Sequence, residues 1–144
     1  MTTSIFLRAN NGLWVCAESG GGREVTANRP LPRSWETFRI ICAGNPQKVP
    51  NYGDLVFLQA SNGQYVCAEN GGGREVVANR NSPHEWETFV LCRPPGTNAP
   101  SAIAKGVVTP VAFRTWNRRN YLCAEDGGGR ELVANRTADK ARTL

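Results

Sequence analysis

The sequence predicts an all-β fold built from three copies of one four-stranded unit, and three observations support this. First, the segments 16–29, 67–80 and 123–136 align without a gap as CAESGGGREVTANR, CAENGGGREVVANR and CAEDGGGRELVANR. Second, apolar residues alternate with polar ones in short runs bounded by Gly, Asn and Pro, as expected of strands. Third, 15 Gly and 9 Pro among 144 residues make a turn-rich chain that is poor in long helices.

Three such units predict twelve strands arranged as a β-trefoil, a six-stranded barrel capped by three hairpins with pseudo-threefold symmetry. Four-stranded repeats also occur as propeller blades, but three blades are too few to close a ring. In the first copy the strands read IFLRA, LWVCA, REVTA and ETFRII. We therefore expect one trefoil domain over residues 1–144, with repeats at about 4–45, 54–97 and 108–144.

Three consecutive glycines separate the second and third strands of every copy. Glycine adopts positive φ without steric cost, so this turn suits a tight or bulged hairpin. Alternation along the flanking strands places small or branched apolar side chains on one face. The expected core positions are Val15, Ala17, Val25, Ala27, Val66, Ala68, Leu122 and Ala124.

The third copy departs from the other two. A loop rich in Pro and Ala, residues 94–106, is inserted before it, and its first turn, Trp116–Asn120, is one residue longer. Its end reads DKARTL, with neither Trp nor Glu where the other copies have WETF. We therefore expect the last strand to be short or missing.

Polar residues recur in the three copies as faithfully as the apolar ones. Each copy has an aromatic residue, a glutamate before the glycines, an Arg-Glu pair after them and an asparagine near the end of the third strand. Carboxylates, guanidinium groups and amides bind sugar hydroxyls, and an aromatic ring stacks on the apolar face of a sugar. The candidate carbohydrate-binding residues are Trp14, Glu18, Arg23, Glu24, Asn28, Tyr65, Glu69, Arg74, Glu75, Asn79, Tyr121, Glu125, Arg130, Glu131 and Asn135. Three weak sites on one body would gain affinity for a polymer through multivalency.

The same residues also have a structural interpretation, which the sequence leaves open. Arg and Glu beside a hairpin can pair across strands, and the asparagines can bind loop carbonyls. We interpret Glu36 and Glu87 in the WETF segments as structural, because Trp35 and Trp86 should be half-buried at the base of the barrel. An exposed indole at that place would also serve a sugar.

The runs NGQYVCAENGGGREVVANR and WETF resemble the fascin-like branch of the trefoils over nearly the whole chain. They are also similar to carbohydrate-binding modules of glucan-degrading enzymes that recognise β-1,3- or β-1,6-glucans. That resemblance implies three sites, each with one aromatic and one glutamate. The implied sets are Trp14 with Glu18 or Glu24, Tyr65 with Glu69 or Glu75, and Tyr121 with Glu125 or Glu131. The expected function is a lectin or carbohydrate-binding module with up to three equivalent sites, and the alternative is a fascin-like trefoil that binds actin or another protein.

Other function classes fit the sequence less well. His84, the one histidine, has no repeated Ser or Cys nucleophile near it, so we expect no enzyme activity. The run GGGRE lacks the GK[ST] ending of a phosphate loop. A net charge of +5, with a glutamate beside each repeated arginine, is unfavourable for nucleic acid. We expect a monomer that needs no cofactor and whose partner is a polysaccharide or glycan.

The five cysteines fit no paired scheme, and Cys16, Cys67 and Cys123 recur at matching places. We interpret them as free thiols, and we expect no metal site because no cluster has zinc-ligand spacing. No run approaches the ~20 apolar residues that a membrane span needs, so we expect no membrane insertion. The first residues lack the features of a signal peptide. The sequence as given is therefore expected to be cytoplasmic, or extracellular if it is excised from a larger secreted enzyme.

Overall fold

The structure, a computed structural model, describes residues 3–8, 13–69, 76–92, 111–117, 120–124 and 132–136. The strands in these ranges are β1 Thr3–Ile5, β2 Trp14–Ala17, β3 Val25–Arg29, β4 Phe38–Cys42, β5 Leu55–Gln59, β6 Tyr65–Ala68, β7 Val76–Arg80, β8 Phe89–Cys92, β9 Ala112–Thr115, β10 Tyr121–Ala124 and β11 Leu132–Arg136. Short 3-10 turns occur at Glu18–Gly20, Ser34–Glu36 and Glu85–Glu87. Within these ranges, no helix has the length and apolarity needed to cross a bilayer.

The strands form a barrel wall and three hairpins. Antiparallel pairing joins β1 to β4, β4 to β5, β5 to β8 and β8 to β9. The hairpins are β2–β3, β6–β7 and β10–β11. The first two repeats thus contribute four strands each and the third contributes three, while the twelfth expected strand falls outside the described residues.

Each hairpin carries the same irregularity in its pairing. In the first hairpin Trp14 pairs with Arg29, but Cys16 pairs with Thr26, so β3 has one extra residue here. The same register shift occurs in β6–β7 and in β10–β11. The extra residue lets the last arginine of the third strand reach the glutamate that follows the second strand, as described below.

Alternating side chains from the barrel and the hairpins form one core. The predicted core positions whose side chains are described are at most 2% exposed: Val15, Ala17, Val25, Ala27, Val66, Ala68 and Leu122. The side chain of Ala124 is outside the described part. Phe89 and Phe113, on adjacent barrel strands, pack edge to face with ring centroids 6.4 Å apart. The alternation read from the sequence is therefore confirmed where side chains are described.

The glycines of the first repeat form a turn that packs against the second repeat. The backbone N–H of Gly22 donates to the carbonyl of Ala78 on β7, at 2.7 Å. Gly21 has φ 137°, and a Cβ atom built on it would lie 2.1 Å from Oδ1 of Asn62. Backbone conformation and close approach therefore both require glycine at this position.

The first turn of the third repeat is longer than its counterpart, as expected. Thr115 N–H donates to the carbonyl of Asn120 at 2.8 Å, whereas Ala60 N–H donates to that of Gln64 at the same distance. The turn closed by this hydrogen bond therefore contains one residue more in the third repeat than in the second. Trp116 lies in this longer turn, 42% exposed.

Candidate functional site

The predicted glutamate of the first repeat lies on the outer face of the first hairpin and has partners within the chain. Oε1 of Glu18 accepts a hydrogen bond from Nη2 of Arg29 at 2.6 Å, and Oε2 accepts one from the Thr26 hydroxyl at 2.7 Å. Burial alone would raise the pKa of Glu18, but these two donors outweigh it and hold that pKa below its usual value. The carboxylate is therefore charged and fixed in position.

Arg29 also faces a second, buried carboxylate. Its Nε lies 4.0 Å from Oε2 of Glu36, a side chain that belongs to a residue only 3% exposed. Oε1 of Glu36 accepts a hydrogen bond from the backbone N–H of Arg33 at 2.7 Å, which caps the Ser34–Glu36 turn. The structural interpretation of Glu36 is thus supported by its contacts.

The second repeat contains the same glutamate–arginine–glutamate arrangement. Nη2 of Arg80 donates to Oε1 of Glu69 at 2.8 Å, and its Nε lies 4.0 Å from Oε2 of Glu87. Glu87, 3% exposed, accepts from the His84 backbone N–H at 2.7 Å. Val77 occupies the place of Thr26 and has no hydroxyl, so this copy lacks one of the hydrogen bonds of the first.

Cysteine thiols lie directly beneath these arginines. Burial is the main cause that raises the pKa of Cys16 to about 12, and the nearby Glu36 adds to it. Burial likewise raises the pKa of Cys67, with a smaller effect from Glu87. Both are protonated at neutral pH and fully enclosed, so neither is a nucleophile. Cys16, Cys42, Cys67 and Cys92 are all free thiols, as predicted, and the side chain of Cys123 is outside the described part.

The three aromatic residues predicted to stack on sugars occupy equivalent places but differ in exposure. Trp14 packs edge to face with Phe6, centroids 5.9 Å apart, and the guanidinium of Arg8 lies 5.4 Å from its ring centre. Tyr65 packs in the same way on Phe57 at 6.1 Å. Both are partly buried.

Tyr121 is the most buried of the three predicted aromatic residues. It is 8% exposed, and the guanidinium of Arg114, opposite it on β9, lies 5.5 Å from its ring centre. The ring face is therefore occupied by a cation from the neighbouring strand.

The other predicted residues are an exposed ion pair, two asparagines that contact arginines, and several residues whose side chains are not described. Arg23 and Glu24 pair with each other at 3.2 Å on the exposed hairpin end. Asn28 and Asn79 each accept a hydrogen bond from the following arginine through Oδ1. Arg74, Glu75, Glu125, Arg130 and Glu131 lie outside the described residues, and of Asn135 only the backbone, in β11, is described.

Three tryptophans outside the repeated segments are exposed among the described residues. Trp35 and Trp86, in the two WETF turns, are 43% and 41% exposed, and Trp116 is comparable. An exposed indole at the WETF turns was one of the sequence-based possibilities, whereas Trp116 was predicted only to lie in a longer turn. The sequence signal for its exposure was a tryptophan in a turn of Asn and Arg residues, where no strand alternation assigns its side chain to the core.

The chemistry available to these residues is recognition by hydrogen bonding and stacking. Among the residues described, no group of three or more His, Cys, Asp or Glu is arranged to hold a metal ion. His84 is exposed and begins the Glu85–Glu87 turn. The buried carboxylates of Glu36 and Glu87 accept hydrogen bonds from backbone N–H groups and lie next to arginines.

Solved structures with the same architecture match nearly the whole chain. They include the designed 3-fold symmetric protein ThreeFoil, at 14% identity over 97% of this chain and 95% of that chain, with a TM-score of 0.70. The fold is a β-trefoil. A Caenorhabditis elegans protein of unknown function matches at 15% identity and TM-score 0.71, over 99% of this chain and 93% of that one.

A third solved structure, the SDF2-like protein of Arabidopsis thaliana, matches at 13% identity and TM-score 0.71, covering 100% of this chain and 93% of its own. The sequence matches no protein-family model and no curated protein. These likenesses establish the trefoil, while the resemblance to fascin-like proteins stays a prediction.

Proposed function

We propose that this trefoil binds carbohydrate, as a lectin or carbohydrate-binding module that does not convert its ligand. The observation that carries the proposal is the accessible indole on each WETF turn. Trp35 and Trp86 are 43% and 41% exposed, yet each is followed by a buried glutamate that caps the backbone of its turn. An aromatic plane held rigid at the surface is what stacking on a sugar ring requires.

Polar groups suited to sugar hydroxyls lie on the same face of the molecule as these turns. Arg29 joins Glu18 to Glu36, and Arg80 joins Glu69 to Glu87, so each WETF turn is connected to the predicted glutamate of its repeat. A carboxylate can accept about four hydrogen bonds, and intramolecular partners leave part of that capacity for a ligand. The structural role and the predicted binding role of these glutamates are therefore compatible.

The proposed ligand class is a β-1,3- or β-1,6-linked glucan or a related polysaccharide. This finer assignment rests on the resemblance of the repeated segments to glucan-binding trefoils. The two described WETF turns supply two indoles, so the proposal includes at least two sites on one body. Binding to a polymer would then exceed binding to a short oligosaccharide through multivalency.

The test is retention of the purified protein by glycans. Affinity electrophoresis with soluble polysaccharides and pull-down on insoluble ones would compare laminarin, pustulan, chitin, xylan and galactan, with sedimentation on F-actin in parallel. Retention by one glycan class supports the proposal and names the ligand. Absence of retention by every glycan, together with sedimentation on actin, would overturn it in favour of a protein-binding trefoil.

A further inference from the structure

A cleft of about 540 Å³ opens where the second repeat meets the third. It is lined by the Glu85–Glu87 turn with Trp86, and by Trp116 from the longer first turn of the third repeat. The two indoles are 41% and 42% exposed, so each offers a substantial part of its surface to a ligand. The volume lies within the range of about 300–1,000 Å³ found for small-molecule sites.

Charged groups in the cleft largely compensate one another. Arg80 is bound to Glu69 at 2.8 Å and lies 4.0 Å from the buried Glu87. The ionisable side chains exposed on the Glu85–Glu87 turn and its start are Glu85 and His84. Among the described residues that line the cleft, Arg80 is the one arginine or lysine, and two carboxylates compensate its charge, so this lining offers a phosphate no unpaired guanidinium or ammonium group. A neutral ligand with many hydroxyl groups fits this combination.

We infer that this cleft binds one pyranose residue of a glycan, with an apolar ring face of the sugar against the indoles of Trp86 and Trp116. The carboxylate of Glu85 accepts hydrogen bonds from sugar hydroxyls, and the His84 ring either donates or accepts. This inference rests on the proposed carbohydrate-binding function. It adds a site whose described lining includes none of the predicted carbohydrate-binding residues.

The equivalent place at the junction of the first and second repeats lacks half of this arrangement. Trp35 is present there, but Arg33 and Ser34 replace His84 and Glu85, and Ser61 replaces Trp116. The Trp35 indole instead lies beside Gly20, where an added Cβ would be 3.4 Å from Cδ1. The trefoil is therefore not threefold symmetric in binding, and the junction of the second and third repeats is the higher-affinity site.

The test uses Trp116→Ser, which installs the residue found at the matching place in the second repeat, with Trp86→Ala as the second variant. Val49→Ala is the control, because it removes an exposed apolar side chain that does not line the cleft. Indole N–H resonances, assigned from these variants, would be followed by NMR during titration with oligosaccharides of laminarin and pustulan. Urea unfolding would verify that each variant is folded.

We expect Trp116→Ser and Trp86→Ala each to weaken oligosaccharide binding by about tenfold or more, and Val49→Ala by less than about threefold. In the parent protein the resonances of Trp86 and Trp116 should shift first. Binding that persists unchanged in both variants, or shifts confined to Trp14 and Trp35, would overturn this site while leaving the carbohydrate-binding function intact. No shift and no retention with any glycan would overturn the function itself, and the site with it.

Discussion

Arg29 and Glu18 form an ion pair, Nη2 to Oε1 at 2.6 Å, across the outer face of the first hairpin. The two side chains are 28% and 18% exposed, so the pair is partly shielded from solvent. Arg29 also lies next to the carboxylate of Glu36, whose residue is almost fully buried. One guanidinium thus compensates two negative charges, and a buried carboxylate without such a partner is strongly destabilising.

Replacing Glu18 by Gln is expected to lower the free energy of unfolding by about 1 kcal/mol, because the charge-assisted bond to Arg29 becomes a neutral one. Urea unfolding followed by tryptophan fluorescence measures the change. Glu24→Gln is the control, since Glu24 pairs with Arg23 on the exposed hairpin end, where ion pairs contribute little. Equal effects of the two substitutions would contradict this account of Glu18.

The stabilisation from Glu18 should depend on pH in a defined direction. Its pKa in the folded protein is lowered, so its contribution is fully present above the pKa of an unfolded glutamate, about 4.3, and is lost as pH falls through the folded pKa. The stability difference between the parent protein and Glu18→Gln should therefore be constant from pH 7 to about 5 and shrink toward pH 3. A difference that grows on acidification would show that the pKa is not lowered.

Alkaline pH should destabilise the fold through its buried thiols. The pKa of Cys16 is raised to about 12 from a model-compound value of 9.0, so the unfolded chain loses this proton first. The contribution of the buried thiol to the free energy of unfolding is constant below about pH 9. It falls as pH rises toward 12, by at most about 1.4 kcal/mol per pH unit for each such thiol. Urea unfolding under reducing conditions at pH 8, 9 and 10 measures this slope.

Substitution of both Cys16 and Cys67 by Ala tests the origin of that alkaline slope. The substitutions lower stability at every pH, because they remove buried volume, but they should flatten its dependence on pH above 9. The slope, and not the absolute stability, is the informative quantity. An unchanged slope in the double variant would assign the alkaline effect to other groups.

Gly21→Ala should destabilise the protein more than Gly44→Ala. Both glycines have positive φ, 137° and 83°, but a Cβ atom at Gly21 meets the Asn62 side chain whereas one at Gly44 has nothing within 4 Å. We expect a loss of about 1–2 kcal/mol for Gly44→Ala from backbone strain alone and a larger loss for Gly21→Ala. Thermal or urea unfolding compares the two.

A second substitution separates the clash from the strain at Gly21. Asn62→Ala removes the amide that the new methyl group would meet, so combining it with Gly21→Ala should recover part of the lost stability. The two effects should be non-additive, because the residues are in contact. Strict additivity would indicate that the clash is relieved by movement of the turn.

Much of the fold was predictable from the sequence because the signal occurs more than once. Alternation around Val15 and Ala17 is a local property, and its recurrence at Val66 and Ala68 made the interpretation robust. The three glycines likewise indicated a hairpin turn. Their second role, fitting the turn against Asn62 of the next repeat, depends on a contact between distant residues and carries no local signature.

The candidate site was less predictable for the same physical reason. Pairing of an arginine with a glutamate beside the hairpin was one of two open interpretations, but the sequence did not indicate that Glu18 would meet Arg29, which lies 11 residues away. Burial of Tyr121 under Arg114 depends on pairing between β9 and β10. The cleft of Trp86 and Trp116 combines residues from different repeats, and the longer turn that places Trp116 there was visible only as a departure from the repeat.

The turn of the first repeat finds its hydrogen-bond acceptor in the second, since Gly22 donates to Ala78. The boundaries that the sequence suggests between repeats are therefore not boundaries between units able to fold alone. An isolated copy would leave this donor and the apolar undersides of its hairpin facing water. One repeat made as a separate chain would have to assemble with two further copies to bury these groups, and joining three repeats in one chain removes the dependence of that assembly on concentration.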